Sequence, residues 1–168
     1  MITVHLSRSD LVREGADLAG ADLAGANLDG ANLAGADLCG ADLSRANLAR
    51  AYLARAYLYG ADLARAYLRG TNLARANLSR ACLARANLAR ANLYGADLCG
   101  ADLCRARLDG ANLNRAELRG ANLARAYLYG ANLSGADLTG ARRRRTDPAL
   151  AGWKAVGAEC ACCVYLRR

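Results

Sequence analysis

The chain has 168 residues, 54% of them hydrophobic, and a formal net charge of +8. This is one domain's worth of residues, with a single histidine, no phosphate-cradling glycine loop, and seven cysteines that lack the spacing of a secreted disulfide framework. These features argue against an enzyme, a cofactor and a metal site, and no apolar run reaches the ~18 residues of a membrane span.

Residues 1–15 read as an irregular N-terminal cap. VHLSR and SDLVR place Leu6 and Leu11 five residues apart, but Leu18 follows after seven. Glu14 and Gly15 are therefore expected to insert a phase slip, since terminal repeat units are atypical. His5, Arg8 and Asp10 interrupt the segment, which lacks the apolar stretch of a signal peptide. A reducing cytoplasm is the expected location.

From Ala16 to Gly140 the chain is written in five-residue words: ADLAG, ADLAG, ANLDG, ANLAG, ADLCG and onward. Leu holds the third position of every word. Ala holds the first in all but the word starting at Thr71, Asp or Asn mostly holds the second, and Gly or Arg the fifth. No straight element suits this period. At about 100° per residue, successive leucines in a helix would be displaced by roughly 140°, and no apolar stripe would form. Side chains alternate in a strand, so an odd period would throw successive leucines to opposite faces. The pattern works if the chain turns a corner once per word. Ala and Leu, two apart, then point inward together, and Gly at the fifth position supplies the φ > 0 that a type II turn needs.

A slower rhythm sets the number of walls. The second positions Asp17, Asp22, Asn27 and Asn32 restart as Asp37, Asp42 and Asn47, and Arg45, Arg65, Arg85, Arg105 and Arg125 recur at the same interval of twenty residues. Four words thus close one circuit. The expected fold is all-β: a four-sided parallel β-helix, a solenoid of about six coils stacked about 4.8 Å apart, making a rod of roughly 30 Å. Its core is a column of leucines, represented on the first wall by Leu18, Leu38, Leu58, Leu78, Leu98, Leu118 and Leu138. The tandem A(D/N)LXX words of residues 16–140 resemble the pentapeptide-repeat family, over about three quarters of the chain. That resemblance implies a right-handed quadrilateral β-helix, a hand that agrees with the general hand of parallel crossovers.

Sorted by wall, the outward residues are electrically uneven. The first wall carries a candidate acidic interaction column, Asp17, Asp37, Asp97, Glu117 and Asp137, with Arg80 and Arg119 on the same wall. The second carries Asp22, Asp42, Asp62 and Asp102 beside the basic corner column Arg45, Arg65, Arg85, Arg105 and Arg125, and these charges are placed to pair. The third has Arg50, Arg69, Arg90 and Arg107 against Asp29 and Asp109, and the fourth has Arg55, Arg75 and Arg115 with no acid. Arg is unfavourable at φ > 0, so the second-wall corners are expected to use a turn other than type II. Tyr52, Tyr57, Tyr59, Tyr67, Tyr127 and Tyr129 all take outward positions, as suits either an interface or a pleated surface.

After Gly140 the words stop. Residues 141–168 form a basic C-terminal segment that opens with Arg142 to Arg145 and continues with Asp147 and Pro148, an N-cap acid followed by Pro at the first helical position. Leu150, Trp153 and Val156 recur every three residues, which predicts a short helix over about 148–157. That helix is expected either to cover the open end of the solenoid or to join two chains as a homodimer. In the cysteine-rich tail, Cys160, Cys162 and Cys163 are spaced more tightly than structural zinc pairs and lack a fourth ligand. Packing in a last strand is their expected use.

With no chemistry in evidence, the expected function is a non-enzymatic interaction scaffold for a protein partner. The family resemblance implies an alternative: some members resemble duplex DNA in width and charge, bind DNA gyrase, and protect it from quinolones or peptide toxins. Only the acidic first wall suits that role, because the net charge has the opposite sign and the words lack the central Phe frequent in those proteins. A third reading is salt-sensitive binding of nucleic acid or another anion by Arg142 to Arg145, Arg167 and Arg168.

Overall fold

A computed structural model describes residues 13–144, 154–160 and 163–167. Each second-position residue bridges in parallel to the residue twenty positions later, from Asp17 with Asp37 to Asn122 with Arg142. One circuit therefore takes four words, and each wall is a ladder of short parallel bridges.

The backbone of a single word shows why the word reads as it does. Asp37 N–H donates to the Ala16 carbonyl one coil back (2.9 Å), and Leu38 N–H donates to the Tyr57 carbonyl one coil on (2.7 Å). Gly40 N–H reaches the Tyr59 carbonyl (2.9 Å), and Ala41 N–H closes the corner onto the Leu38 carbonyl (3.1 Å). The remaining donor, Cys39 N–H, has no ladder acceptor and donates to Oδ1 of Asp37 (3.0 Å). The same bond joins Ser44 to Asp42 (2.9 Å), Ala64 to Asp62 (2.8 Å) and Ala74 to Asn72 (3.1 Å). Asp or Asn at the second position thus completes the backbone pairing that a folded chain requires.

At the corners, the turn bond runs from the first residue of the next word to the Leu carbonyl, and φ is positive only at the fifth residue. Among the common hydrogen-bonded turns this is the signature of type II. Gly40 has φ 64°, and Arg45, Arg65, Arg85, Arg105 and Arg125 have φ between 58° and 60°. The expectation of a different turn at the arginine corners is therefore corrected. A Cβ placed on Gly20, Gly25 or Gly40 would meet nothing within 4 Å, so a side chain at these corners meets no clash. What remains is the intrinsic left-handed cost of roughly 1–2 kcal/mol. At Arg45 it is borne by a ladder bond to Ala64 (2.9 Å), by the turn bond from Ala46 to Leu43 (3.1 Å), and by the full burial of Leu43 and Ala46.

Between Leu33 and Leu118 every third-position leucine is at most 1% exposed, and first-position alanines fill the narrower space between them. Thr71 is equally buried, and its hydroxyl donates to the Leu48 carbonyl (2.7 Å), so that hydroxyl is satisfied. Leu128 and Leu133, in the last coil, are only partly buried.

At the N-terminal end the described residues begin with Arg13. Gly15 has φ 69° and donates to Ala34 (2.9 Å), while Ala16 N–H closes a turn onto Arg13 (3.3 Å). Glu14 and Gly15 thus make a corner like those of the repeat block, and residues 1–12 of the expected N-terminal cap lie outside the described residues. At the other end are three strands: β1 (Arg142–Arg144), β2 (Lys154–Cys160) and β3 (Cys163–Arg167), in sheet order β1-β3-β2 with antiparallel pairing. Arg142 bridges Asn122 in parallel and Tyr165 in antiparallel fashion, so β3 pairs along the open edge of the second wall.

The helix expected over 148–157 is therefore not the cap. Val156 lies on β2 opposite Tyr165, while Leu150 and Trp153 lie outside the described residues. A helix of about ten residues is marginal in water, and Gly157 weakens it further. Val164 and Tyr165 favour a strand, and the register shift between Val156 and Cys160 spans Gly157, the residue suited to a bulge.

Candidate functional site

The exterior is a lattice of side chains with a fixed rung interval, so candidate sites are columns and walls. On the first wall, Asp17, Asp37, Asp97 and Asp137 each turn Oδ1 back to the N–H two residues on, at 3.3, 3.0, 2.9 and 3.0 Å. The hydrogen bond from Cys39 N–H holds the Asp37 carboxyl below the usual carboxylate range. Thr139, through its hydroxyl and then its N–H, does the same for Asp137, with Arg119 assisting. Glu117 pairs with Arg119 at 2.6 Å, and Arg119 also reaches Asp137 at 3.4 Å. Tyr57 and Asn77 occupy the rungs between Asp37 and Asp97. The acidic column is thus split in two, four of its five members accept a backbone bond, and Arg119 partly neutralises Glu117 and Asp137.

On the second wall Asp42, Asp62 and Asp102 are likewise drawn back to Ser44, Ala64 and Cys104 (2.9, 2.8 and 2.9 Å). Arg45, Arg65, Arg85 and Arg105 of the corner do not form the expected pairing. Ion pairs among the described residues join Arg50 to Asp29 (2.5 Å), Arg107 to Asp109 (3.3 Å) and Arg119 to its two acids. The exposed Arg45, Arg65, Arg85 and Arg105 take part in none of them. Four arginines of like charge therefore stand on successive rungs about 4.8 Å apart. Beside them the small residues Ala24, Ser44 and Ala64 leave an open depression of about 440 Å³, with Arg45 and Arg65 on its rim.

The third wall continues this basic surface. With the corners on either side, it holds nine of the fourteen arginines of the repeat block against two acids, Asp29 and Asp109, both already in ion pairs. Tyr67 and Tyr127 stand on the same wall, 57% and 60% exposed. The sequence marked these residues as outward, yet it held no sign that the neighbouring carboxylates would be occupied by the backbone.

Among the described residues, one group brings metal-ligand types together: a ligand atom each from Asp97, Cys99 and Glu117, within 4.8 Å of one another. Burial, then the hydrogen bond and charge of Asp97, push the Cys99 thiol up to about 11. It is protonated at neutral pH, whereas a thiolate is the ligand and nucleophile, and Arg119 already holds Glu117. Cys39 and Cys82 are also raised, chiefly by burial.

The family model for pentapeptide repeats matches the chain in 8 copies, at residues 14–45, 46–85, 81–123 and 106–142. Among solved structures, the chain is similar to HetL, a pentapeptide repeat protein involved in heterocyst differentiation regulation from the cyanobacterium Nostoc sp. strain PCC 7120. Identity is 43% over 76% of this chain and 61% of HetL, with a TM-score of 0.45. The chain thus spans less than two thirds of HetL's length. It is also similar to Rfr23, a pentapeptide repeat protein from the cyanobacterium Cyanothece 51142, at 33% identity over 69% of this chain and 86% of that one, with a TM-score of 0.37. QnrB1, a plasmid-mediated fluoroquinolone resistance protein, matches at 22% identity over 76% of this chain and 70% of that one, with a TM-score of 0.39, a likeness of fold alone. No curated protein matches the chain.

Proposed function

Because the chain belongs to the pentapeptide-repeat family, we propose that it is a non-enzymatic rod that presents fixed columns of side chains to a protein partner. The observation that carries this reading is the exterior itself: a buried Leu and Ala core that holds outward residues at a constant interval on four walls. Catalysis favours perturbed groups gathered in a cleft, and the depression beside Arg45 is open and shallow. Affinity capture with the full chain and with an Asp97→Asn, Glu117→Gln variant tests the proposal. A partner retained by the parent and lost by the variant is expected. Recovery of no partner, or of the same proteins by both chains, contradicts it.

A second reading rests on the acidic first wall: binding to DNA gyrase by partial likeness to duplex DNA, with protection from quinolones or toxins. It is supported by Asp97, Glu117 and Asp137 on successive first-wall rungs and opposed by the +8 net charge. A supercoiling assay with purified gyrase and a quinolone separates it from the first. Protection or inhibition that disappears in the same variant supports it, and neither effect at any concentration ends it. The proposed location is the cytoplasm, in keeping with the free thiols of Cys39, Cys82, Cys99 and Cys104. No helix among the described residues is long and apolar enough to cross a membrane.

A further inference from the structure

We propose that the third wall and the arginine corner beside it bind a single-stranded nucleic acid. Phosphates lie along Arg45, Arg65, Arg85 and Arg105, and bases stack on Tyr67 and Tyr127. This surface is distinct from the acidic first wall, and the proposal stands apart from the protein-partner reading.

Three observations point to it. The first is the choice of residue. Arginine at positive φ occurs at corners of all four walls, but only the second-wall corner carries it at five successive rungs, Arg45 to Arg125, whereas the first-wall corner keeps glycine at every rung but that of Arg80. A side chain kept where the backbone prefers none argues for use of that side chain. The second is charge. The guanidinium groups of Arg45, Arg65, Arg85 and Arg105 have no ion-pair partner among the described residues, while Asp42, Asp62 and Asp102 each turn Oδ1 to the backbone. A linear polyanion would neutralise this column along its length. From Arg45 to Arg105 the column rises about 14 Å, the length of roughly four stacked nucleotides at ~3.4 Å each. The third is the aromatic content of the adjoining wall. Tyr67 and Tyr127 are more than half exposed, and a positive track flanked by open aromatic rings is the arrangement that binds unpaired bases without sequence preference. A duplex offers its stacked bases no access to these rings.

Fluorescence anisotropy of a labelled oligo-dT with the full chain, at low and moderate salt, tests the proposal. The Arg65→Gly, Arg85→Gly, Arg105→Gly variant removes three charges at positions where glycine fits the backbone, so the fold is retained, as an unchanged circular dichroism spectrum and an equal or higher urea midpoint will show. It is expected to lose at least tenfold in affinity and to flatten the log–log salt slope by about two, at roughly 0.7 per phosphate contact. The Tyr67→Ala, Tyr127→Ala variant is expected to lose fivefold or more with the salt slope unchanged. Four results would overturn the proposal. They are no binding at low salt; equal binding by the arginine variant; loss instead in an Arg167→Gln, Arg168→Gln variant; and equal affinity for oligo-dT, its duplex and poly-glutamate with no effect of the tyrosines.

Discussion

Leu78 and Arg85 mark the two extremes of position within a word. Leu78 is fully buried, and Leu78→Ala should cost about 2–5 kcal/mol, the range for leaving a cavity in a packed core. An unchanged urea midpoint would place that side chain outside the core. Arg85 has φ 60°, so Arg85→Gly should stabilise by about 1 kcal/mol, the lower end of the left-handed penalty. A fall in midpoint would mean that the arginine stem contributes more than its backbone costs. The carboxylates add a pH dependence. Asp37 and Asp137 have folded-state values below the ordinary 3.8. Their contribution is therefore complete above the unfolded pKa and is lost as pH falls through the depressed folded value. Urea midpoints should drop between neutral pH and pH ~3, and Asp137→Asn should make that drop shallower.

At the scale of the wall, the side-chain cap on the fourth N–H is the unit to test. Asn72 accepts from Ala74 at 3.1 Å, and Asn72→Ala should cost about 0.5–1.5 kcal/mol, the net worth of one such bond, in thermal or urea unfolding. No change would show that water replaces the amide at no loss. This bond also explains what the sequence did and did not disclose. The inward Leu and Ala, the corner at the fifth residue and the closure after four words all follow from period and residue size, and Asp17 with Asp37 is the pairing that twenty-residue closure demands. Asp42 was legible only as a charge, because nothing in a residue name says whether a carboxylate serves the backbone or the solvent. For that reason its pairing with the Arg45 corner failed. The turn at Arg45 escapes a local rule because the ladder and core, which override the general dislike of positive φ, are set by residues a coil away. At 154–160 a start signal and a three-residue spacing suggested a helix, but the deciding contact was β3, far enough along the chain to be invisible to local pattern.

The molecule as a whole is a stiff rod with chemically different faces. Because each coil touches only its neighbours, stability accumulates along the axis, and the walls keep their identity from coil to coil. Most acids lie on the first and second walls. Twelve of the fourteen repeat-block arginines lie on the third and fourth walls and the corners that bound them. Protein binding at one side and polyanion binding at the other are compatible on such a body, since neither requires the walls to move.

Both surfaces exist only if every twenty residues advance the chain by one rung. Spin labels on the second wall, in a background without the native cysteines, measure that advance directly. Labels at Ala24 and Ala84 should lie about 14 Å apart and labels at Ala24 and Ala124 about 24 Å, a gain of about 4.8 Å per coil. Separations that fail to grow in proportion to the number of coils would contradict the four-walled rod and every column drawn on it.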